Sequence, residues 1–377
     1  MIHVLISISI LYALFTLILA VTWWRMPVFT ASDSVRQSGL PKISVIIPVR
    51  NEEFTLPLLL ADLQAQSYSP THFEVIVADD SSTDNTLKIT QELVKSVPYN
   101  LRPLSLANEP TTSPKKRAIR QSITVASGDL IVTTDGDCRV GPRWLETIAA
   151  FYGQTGARLI SGPISFNPDH TVFGNLQTVE SSSLIGAGAC TMALGSPTMC
   201  NGANLTYEKR VFEAVGGFDG IDHVASGDDE LLMHKIASRY PGGVQFLKSP
   251  DAIVHTAPQP SLRAFYHQRK RWASKWRAYE SVLPSLLAVF IFASNLAVPL
   301  AVIGYGSFGV SGYQLMGLIA LKAVPEWLFL GSVLTFLKKQ RVLRWIPVTQ
   351  LMYPLYVVFF GLAAQQKGFR WKGRNLH

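Results

Sequence analysis

Between Ile2 and Trp24 the chain carries no Asp, Glu, Lys or Arg, and a helix of about 20 apolar residues is what the hydrocarbon core of a bilayer takes to cross. Such a run is constrained to one secondary structure, because hydrocarbon offers its backbone no outside partner. It lacks the basic start and small-residue cleavage site of a signal peptide, and Trp23-Trp24-Arg25 has the make-up of an interface anchor. The run therefore reads as an uncleaved transmembrane anchor over 1–24. Three more apolar tracts follow near 282–306, 312–337 and 345–364 and read as membrane helices. Lys322 and Glu326 interrupt the second of these, four residues apart; they either pair on one face or mark a helix lying partly in the interface.

The net charge of +8 is concentrated beside these tracts, at Arg263, Arg269 to Arg271, Lys275, Arg277, Lys338 to Arg344 and Lys367 to Arg374. That placement points to anionic lipid headgroups and topology signalling rather than to nucleic acid. Basic flanks after Trp24 and over 263–277 put the intervening domain in the cytoplasm. Three full crossings after residue 280 would leave the basic tail outside, so a re-entrant or interfacial C-terminal tract is favoured over a tail that breaks the rule. Cys138, Cys190 and Cys200 are odd in number and lack C-x-x-C spacing, which suggests neither a disulfide framework nor a zinc site.

A polar linker over 25–40 leads into a different pattern. Ile43 to Ile47 is a β-branched run ended by Pro48, Phe73 to Ala78 is a second ended by Asp79-Asp80, and Asp129 to Thr134 is a third ended by Asp135. Glu52 to Gln66 has helical composition between the first two, and Ser81 to Thr86 can cap a helix over Leu87 to Val94. Strand, acidic turn and helix in alternation predict an α/β domain with a largely parallel sheet. Its ligands would gather beyond the carboxyl ends of the strands, where these charged turns fall.

Asp135-Gly136-Asp137 sets two hard oxygen donors at a strand end with no bulk between them, which suits Mg²⁺ or Mn²⁺ completed by substrate phosphates. Read blandly, it is a solvated turn. Asp79-Asp80 and the hydroxyls after it can accept hydrogen bonds from a nucleobase or ribose, or simply form a turn and helix cap. Lys115-Lys116-Arg117 is a solvated basic run or a source of one phosphate-binding cation. Asp228, Asp229 and Glu230, after Gly227 and before an apolar helix pattern, can supply a general base or meet a helix dipole. Gln268, Arg271 and Trp272 share a face at i, i+3 and i+4 of a basic aromatic helix over Phe265 to Tyr279. That face fits an interfacial amphipathic helix, or a cation for a departing diphosphate beside a stacking platform for a sugar.

Taken together, these residues resemble the membrane-embedded family 2 glycosyltransferases, the group of cellulose, hyaluronan and poly-N-acetylglucosamine synthases and ceramide glucosyltransferases. The resemblance runs from about Lys42 to Trp272. Ile47-Pro48-Val49-Arg50-Asn51-Glu52-Glu53 looks like the family's opening nucleotide-binding signature, with Pro48 and Glu52 near the donor, and Val77 to Asp84 like the next, with Asp79 and Asp80 at the nucleoside. Lys115-x-x-Ala118-Ile119 resembles its K-x-x-A-L stretch, Asp135-Gly-Asp137 its metal motif, Asn201 to Asp219 its acceptor-side segment, and Gln268 to Trp272 its Q-x-x-R-W pattern in full. The chain departs at Ser226-Gly227-Asp228, where the family usually shows T-E-D. Asp228 is aligned as the base, with Asp229 still possible.

The resemblance implies a GT-A (Rossmann-like) domain over 41–262, an interfacial helix over 263–280, C-terminal membrane helices over 281–366 and a basic tail over 367–377. It implies a metal-dependent hexosyltransferase of the bacterial inner membrane with its catalytic domain facing the cytoplasm. Metal would sit at Asp137 and Asp135, the donor at Lys115, Asp135 and Arg271, and the acceptor at Gln268 and Trp272. The donor is expected to be a UDP-sugar and the acceptor lipid-linked or glycan, with membrane lipids as partners, no nucleic acid and protein partners unspecified. Addition of one or a few sugars to a lipid is favoured over a processive synthase, since about four membrane tracts are modest for a polysaccharide channel. A non-catalytic scaffold or export partner would have lost a metal or base carboxylate, and none is missing.

Overall fold

The computed structural model describes residues 2–31, 39, 41–107, 109, 111–273, 283–307, 309–363, 369–371 and 374–376. Expectations for most of the linker, for Lys275, Arg277 and the rest of the interfacial helix beyond Ala273, and for Lys367 and Lys372 of the tail lie outside the described residues. In chain order the elements are α1 (Ile2–Arg25), β1 (Ile43–Val49), α2 (Leu56–Gln64), β2 (Phe73–Asp79), α3 (Thr86–Leu93), β3 (Asn100–Ser105), α4 (Pro114–Val125), β4 (Leu130–Thr133) and α5 (Trp144–Thr155). Then come β5 (Leu159–Ser161), β6 (Ile164–Phe166), α6 (Val172–Ala193), β7 (Leu205–Glu208), α7 (Lys209–Ala214), α8 (Glu230–Arg239), β8 (Val244–Phe246), β9 (Val254–Thr256), α9 (Leu262–Ala273), α10 (Leu283–Ser307), α11 (Gly312–Phe336) and α12 (Ile346–Ala363). They group into two compact units.

The sheet unit comprises Pro27–Asn167, Met192–Ala257 and Arg370–His377. Among the described residues its sheet has seven strands in the order β3-β2-β1-β4-β7-β5-β8. β1, β2, β3 and β4 are parallel, joined by helical crossovers. β2 and β4 are buried throughout and β1 nearly so, as expected for strands covered on both faces. The expected α/β class and GT-A-like sheet are observed, with one addition: β7 runs antiparallel to both β4 and β5. Its four residues, Leu-Thr-Tyr-Glu, are too short to stand out by alternation.

Parallel register pairs Pro48 with Ala78 and Val49 with Asp79. β1 and β2 therefore end level, and Thr133 of β4 lies beside Ile46. One edge of the sheet thus collects the turns that carry Glu52, Asp80 and Asp135.

The helical unit comprises Met1–Met26, Pro168–Thr191 and Pro258–Phe369. Four helical segments, Ile2–Arg25, Ser285–Ser307, Gly312–Phe336 and Gln340–Gly361, are long and apolar enough to cross a membrane. They coincide with the four tracts read from the sequence. α6, rich in Ser and Gly, packs among them: Val179 shares a buried cluster with Leu330, Leu334, Val342 and Ile346. A Cβ on Gly186 would meet Val333 and Phe329 at 2.7 and 2.8 Å, so glycine is what allows α6 to approach α11. Lys322 and Glu326 do pair, and both are buried. The pair is shared across three helices, with Lys322 Nζ 3.0 Å from Asn295 Oδ1 and the Tyr12 hydroxyl donating to Glu326. Such sharing is how charge is tolerated among apolar helices.

Candidate active site

The turns after β1 and β2 are laced together. Asn51 N donates to Ser82 Oγ at 2.9 Å, Glu52 N to Thr86 Oγ1 at 2.8 Å, and Asn51 Oδ1 accepts from Thr83 N at 2.8 Å. Asn51 and Ser81 both adopt left-handed backbone, with φ of 55° and 58°, a conformation Asn tolerates far better than Ser. Asp79 is 2 % exposed; its Oδ1 accepts from Ser82 N at 3.0 Å, while Oδ2 is buried without a hydrogen-bond partner. Arg50 Nε, Ser81 Oγ and Arg117 Nε are likewise buried and unpartnered near it. Buried polar atoms left this way are costly and ask for an explanation.

The basic run is not a solvated stretch. Arg117 forms an ion pair with Asp80, which is itself buried. Lys116, 3 % exposed, donates to the carbonyls of Ile221 and Val224, the second at 2.9 Å. Each carbonyl has a second donor, Val224 N at 3.3 Å for Ile221 and Ser113 Oγ at 3.0 Å for Val224, so the ammonium ties the loop to α4 without being the sole partner of either. Lys115 reaches elsewhere, with Nζ 2.8 Å from Asp135 Oδ1 and 3.3 Å from Asp228 Oδ2. Burial alone would lower its pKa, but the charges of Asp135 and Asp228 prevail and hold it above the ordinary lysine value.

Two glycines make this junction possible. A Cβ on Gly202 would lie 2.9 Å from Asp228 Oδ2 and 3.3 Å from Lys115 Nζ, and one on Gly136 would lie 2.9 Å from Val49 and 3.3 Å from Glu52 Cγ. The latter places Glu52 directly on the Asp135-Gly136-Asp137 turn, where Asp137 is exposed. Gly202→Ala is expected to push Lys115 and Asp228 apart and slow turnover roughly 10- to 100-fold. Initial rates of the reaction this site supports, with thermal unfolding as the folding control, check this.

The acidic cluster 228–230 divides its labour. Asp229 is the N-cap of α8, with Oδ1 accepting from Glu230 N at 2.7 Å and Oδ2 from Gly202 N at 3.0 Å. Glu230 opens the first turn. Asp228 stays outside the helix and faces Lys115. Gly227 has φ of 82°, which accounts physically for glycine at the position where the pattern departs from T-E-D. The Asn201–Asn204 segment supports the junction. Asn201 caps Ala203 N, and the Asn204 side chain binds Trp144 Nε1 at 3.1 Å and the carbonyls of Pro163 and Ala252 at 2.8 Å each. Tyr207, unremarked in the sequence, buries its hydroxyl without a partner; burial, then the charge of Asp228, push its pKa up.

Gln268, Arg271 and Trp272 lie on α9, in the helical unit. There Arg269 and Lys270 are the buried residues of the Gln268–Trp272 stretch, and Arg269 pairs with Glu180 of α6. Nothing in a single sequence couples residues 89 positions apart.

A family model described as Glycosyl transferase family 2 matches residues 44–216. Glycosyltransferase AglE of Haloferax volcanii is 30 % identical over 200 residues, covering 51 % of this chain and 60 % of that protein. A beta-monoglucosyldiacylglycerol synthase of Nostoc sp. is 25 % identical over 239 residues, covering 63 % and 49 %. The chain thus spans about half to three fifths of the length of these relatives. Among solved structures, mannosyltransferase PcManGT from Pyrobaculum calidifontis, in complex with GDP-Man and Mn²⁺, superposes with a TM-score of 0.57 at 20 % identity, covering 92 % of this chain and 96 % of that one, which is a likeness of fold. The match to the Glycosyl transferase family 2 model runs from β1 to just past α7, and the likeness to the Pyrobaculum enzyme is one of fold.

Proposed function

We propose that this chain is an inverting hexosyltransferase that moves a sugar from a nucleotide diphosphate sugar to a hydroxyl of a lipid-linked or glycan acceptor at a membrane. The observation that carries the reading is the Lys115 ammonium, set between Asp135 and Asp228. It links a carboxylate of the diphosphate side to the carboxylate placed to act as base. In a single displacement the acceptor oxygen attacks the anomeric carbon as Asp228 takes its proton, and the bond from that carbon to the diphosphate oxygen breaks. Lys115 offsets the charge gathering on the leaving diphosphate. Arg271 keeps the same task, and Gln268 and Trp272 that of acceptor binding, on motif resemblance.

Asp135 and Asp137 fit Mg²⁺ or Mn²⁺: they are hard oxygen donors on one turn, with Gly136 packed too tightly for a side chain. Among the described residues no three His, Cys, Asp or Glu converge as a metal site, and an ion of this kind takes one or two carboxylates and fills its shell with phosphate and water. When bound, it supplies Lewis-acid neutralisation of the diphosphate. The unpartnered Asp79 Oδ2 calls for a ring N–H, as uracil N3 or guanine N1 presents. The buried donors of Arg50 and Arg117, two side chains that bind the next residue, Asp80, favour the two flanking carbonyls of uracil, hence a UDP-sugar.

A lipid acceptor draws support from the four apolar helices and from the diacylglycerol in the name of the Nostoc relative. Those helices and their basic flanks support the reading of an integral protein of a bacterial inner membrane with its sheet unit in the cytoplasm. The test is release of nucleoside diphosphate by the purified protein from a panel of nucleotide sugars with Mg²⁺ or Mn²⁺. Turnover with one donor, abolished in Asp137→Ala, is expected. No turnover on any donor, with Asp137→Ala indistinguishable from the parent, would sink the reading.

A further inference from the structure

Arg269 fills a position that the Q-x-x-R-W pattern leaves unspecified, yet it touches two of the pattern's residues. Its Nη1 donates to Gln268 Oε1, and its guanidinium carbon lies 4.2 Å from the centroid of the Trp272 ring. The Phe265 ring lies 4.3 Å away. Along its remaining edge Nε donates to Glu180 Oε1 at 2.9 Å and Nη2 to Glu180 Oε2. The Tyr356 hydroxyl of α12 donates to the same Oε1 at 2.9 Å. Arg269 is 3 % exposed and Glu180 9 %. A planar fork held by both oxygens of one carboxylate has little freedom to rotate.

Two chemical consequences follow for the motif. A guanidinium has donors only, so the Gln268 atom facing it is the carbonyl oxygen, and the amide NH₂ is turned the other way. Gln268 therefore presents hydrogen-bond donors. Trp272 has one face committed to the cation, so a sugar that stacks on it uses the opposite face.

We propose that Arg269, clamped by Glu180 and Tyr356, is a positioning residue for acceptor recognition: it fixes Gln268 as a donor and Trp272 as a one-faced platform. The moiety that fits is one with acceptor oxygens at the rim of an apolar ring face, as a pyranose has. This rests on the acceptor-binding role given above to Gln268 and Trp272.

The test compares Arg269→Lys and Glu180→Gln with the parent in three measurements: UDP affinity, hydrolysis of the preferred donor in buffer, and transfer to detergent-solubilised total membrane lipid. Loss of one oriented hydrogen bond predicts a rise of roughly tenfold in the KM for the lipid acceptor. UDP affinity and hydrolysis should stay at the parent level. Arg269→Lys should not rescue, because an ammonium cannot span both carboxylate oxygens and the amide at once. If a single variant folds poorly, Glu180→Leu with Arg269→Met removes the pair without stranding a charge and should show the same split. Hydrolysis and transfer falling in parallel would mark a purely structural pair and overturn the proposal, as would no change in either. A parent that turns over no donor would overturn glycosyl transfer itself, whereas a parent with normal transfer and variants without the split would overturn only the positioning role.

Discussion

Asp228→Asn is expected to lower sugar transfer by roughly 10²- to 10⁴-fold, the range lost when a positioned general base is removed. The amide is nearly isosteric and still accepts a hydrogen bond from Lys115, so the junction 3.3 Å away is retained and UDP affinity should change little. The neighbouring substitution separates chemistry from scaffolding. Asp229 spends its two oxygens on the backbone N–H groups of Glu230 and Gly202. Asn keeps the cap on Glu230 N and loses one acceptor, toward Gly202 N, so Asp229→Asn should cost less than Asp228→Asn. Initial rates of transfer for both variants, with UDP binding measured alongside, decide the matter; the reverse order of effects would move the base to Asp229.

Lys115→Met should reduce turnover by roughly 10²- to 10³-fold, the loss typical of deleting one group that stabilises charge in the transition state. It should also weaken donor binding, because two carboxylates then face the diphosphate without the cation between them. Lys115→Arg keeps the charge but not the compact point geometry, and should restore only part of the activity. The direction of the Lys115 pKa carries a further expectation. Although burial opposes it, Asp135 and Asp228 hold the ammonium protonated beyond the ordinary lysine range. The pH profile of transfer should then show no alkaline limb from Lys115 between about pH 7 and 10, where an unperturbed lysine begins to discharge. A limb in that interval that disappears in Lys115→Arg would contradict the ion-pair geometry.

How legible the site is depends on the range of the contacts that build it. Asp79 and Asp135 are readable because each ends a β-branched run, and the ends of parallel strands share one edge. The long apolar helices are readable because length and apolarity suffice to mark them. Lys115, Lys116 and Arg117 are not, although adjacent. Successive helix positions point about 100° apart, and their partners lie in two segments far from α4 in sequence, Asp228 and Val224 in the connection before α8 and Asp80 just after β2. A charge run gives no sign of which of its members will be buried. The cluster 228–230 is half legible: an acidic first turn was expected, but only the observed N-cap at Asp229 and the left-handed Gly227 separate Asp228 from the helix. Arg269 and Glu180 escape altogether, because their pairing links α6 to α9 through the tertiary fold alone.

α6 has an implication for how the chain can be handled and inherited. Its residues fall in the middle of the catalytic sequence, between β6 and β7, yet fold with the first and last helices of the chain. Trimming both ends to free a soluble enzyme would strip Val179 of its apolar neighbours, Gly186 of Phe329 and Val333, and Cys190 of the Leu19 carbonyl. The apolar helices are therefore not a detachable tether; a cut at either end opens a core that α6 itself helps to close.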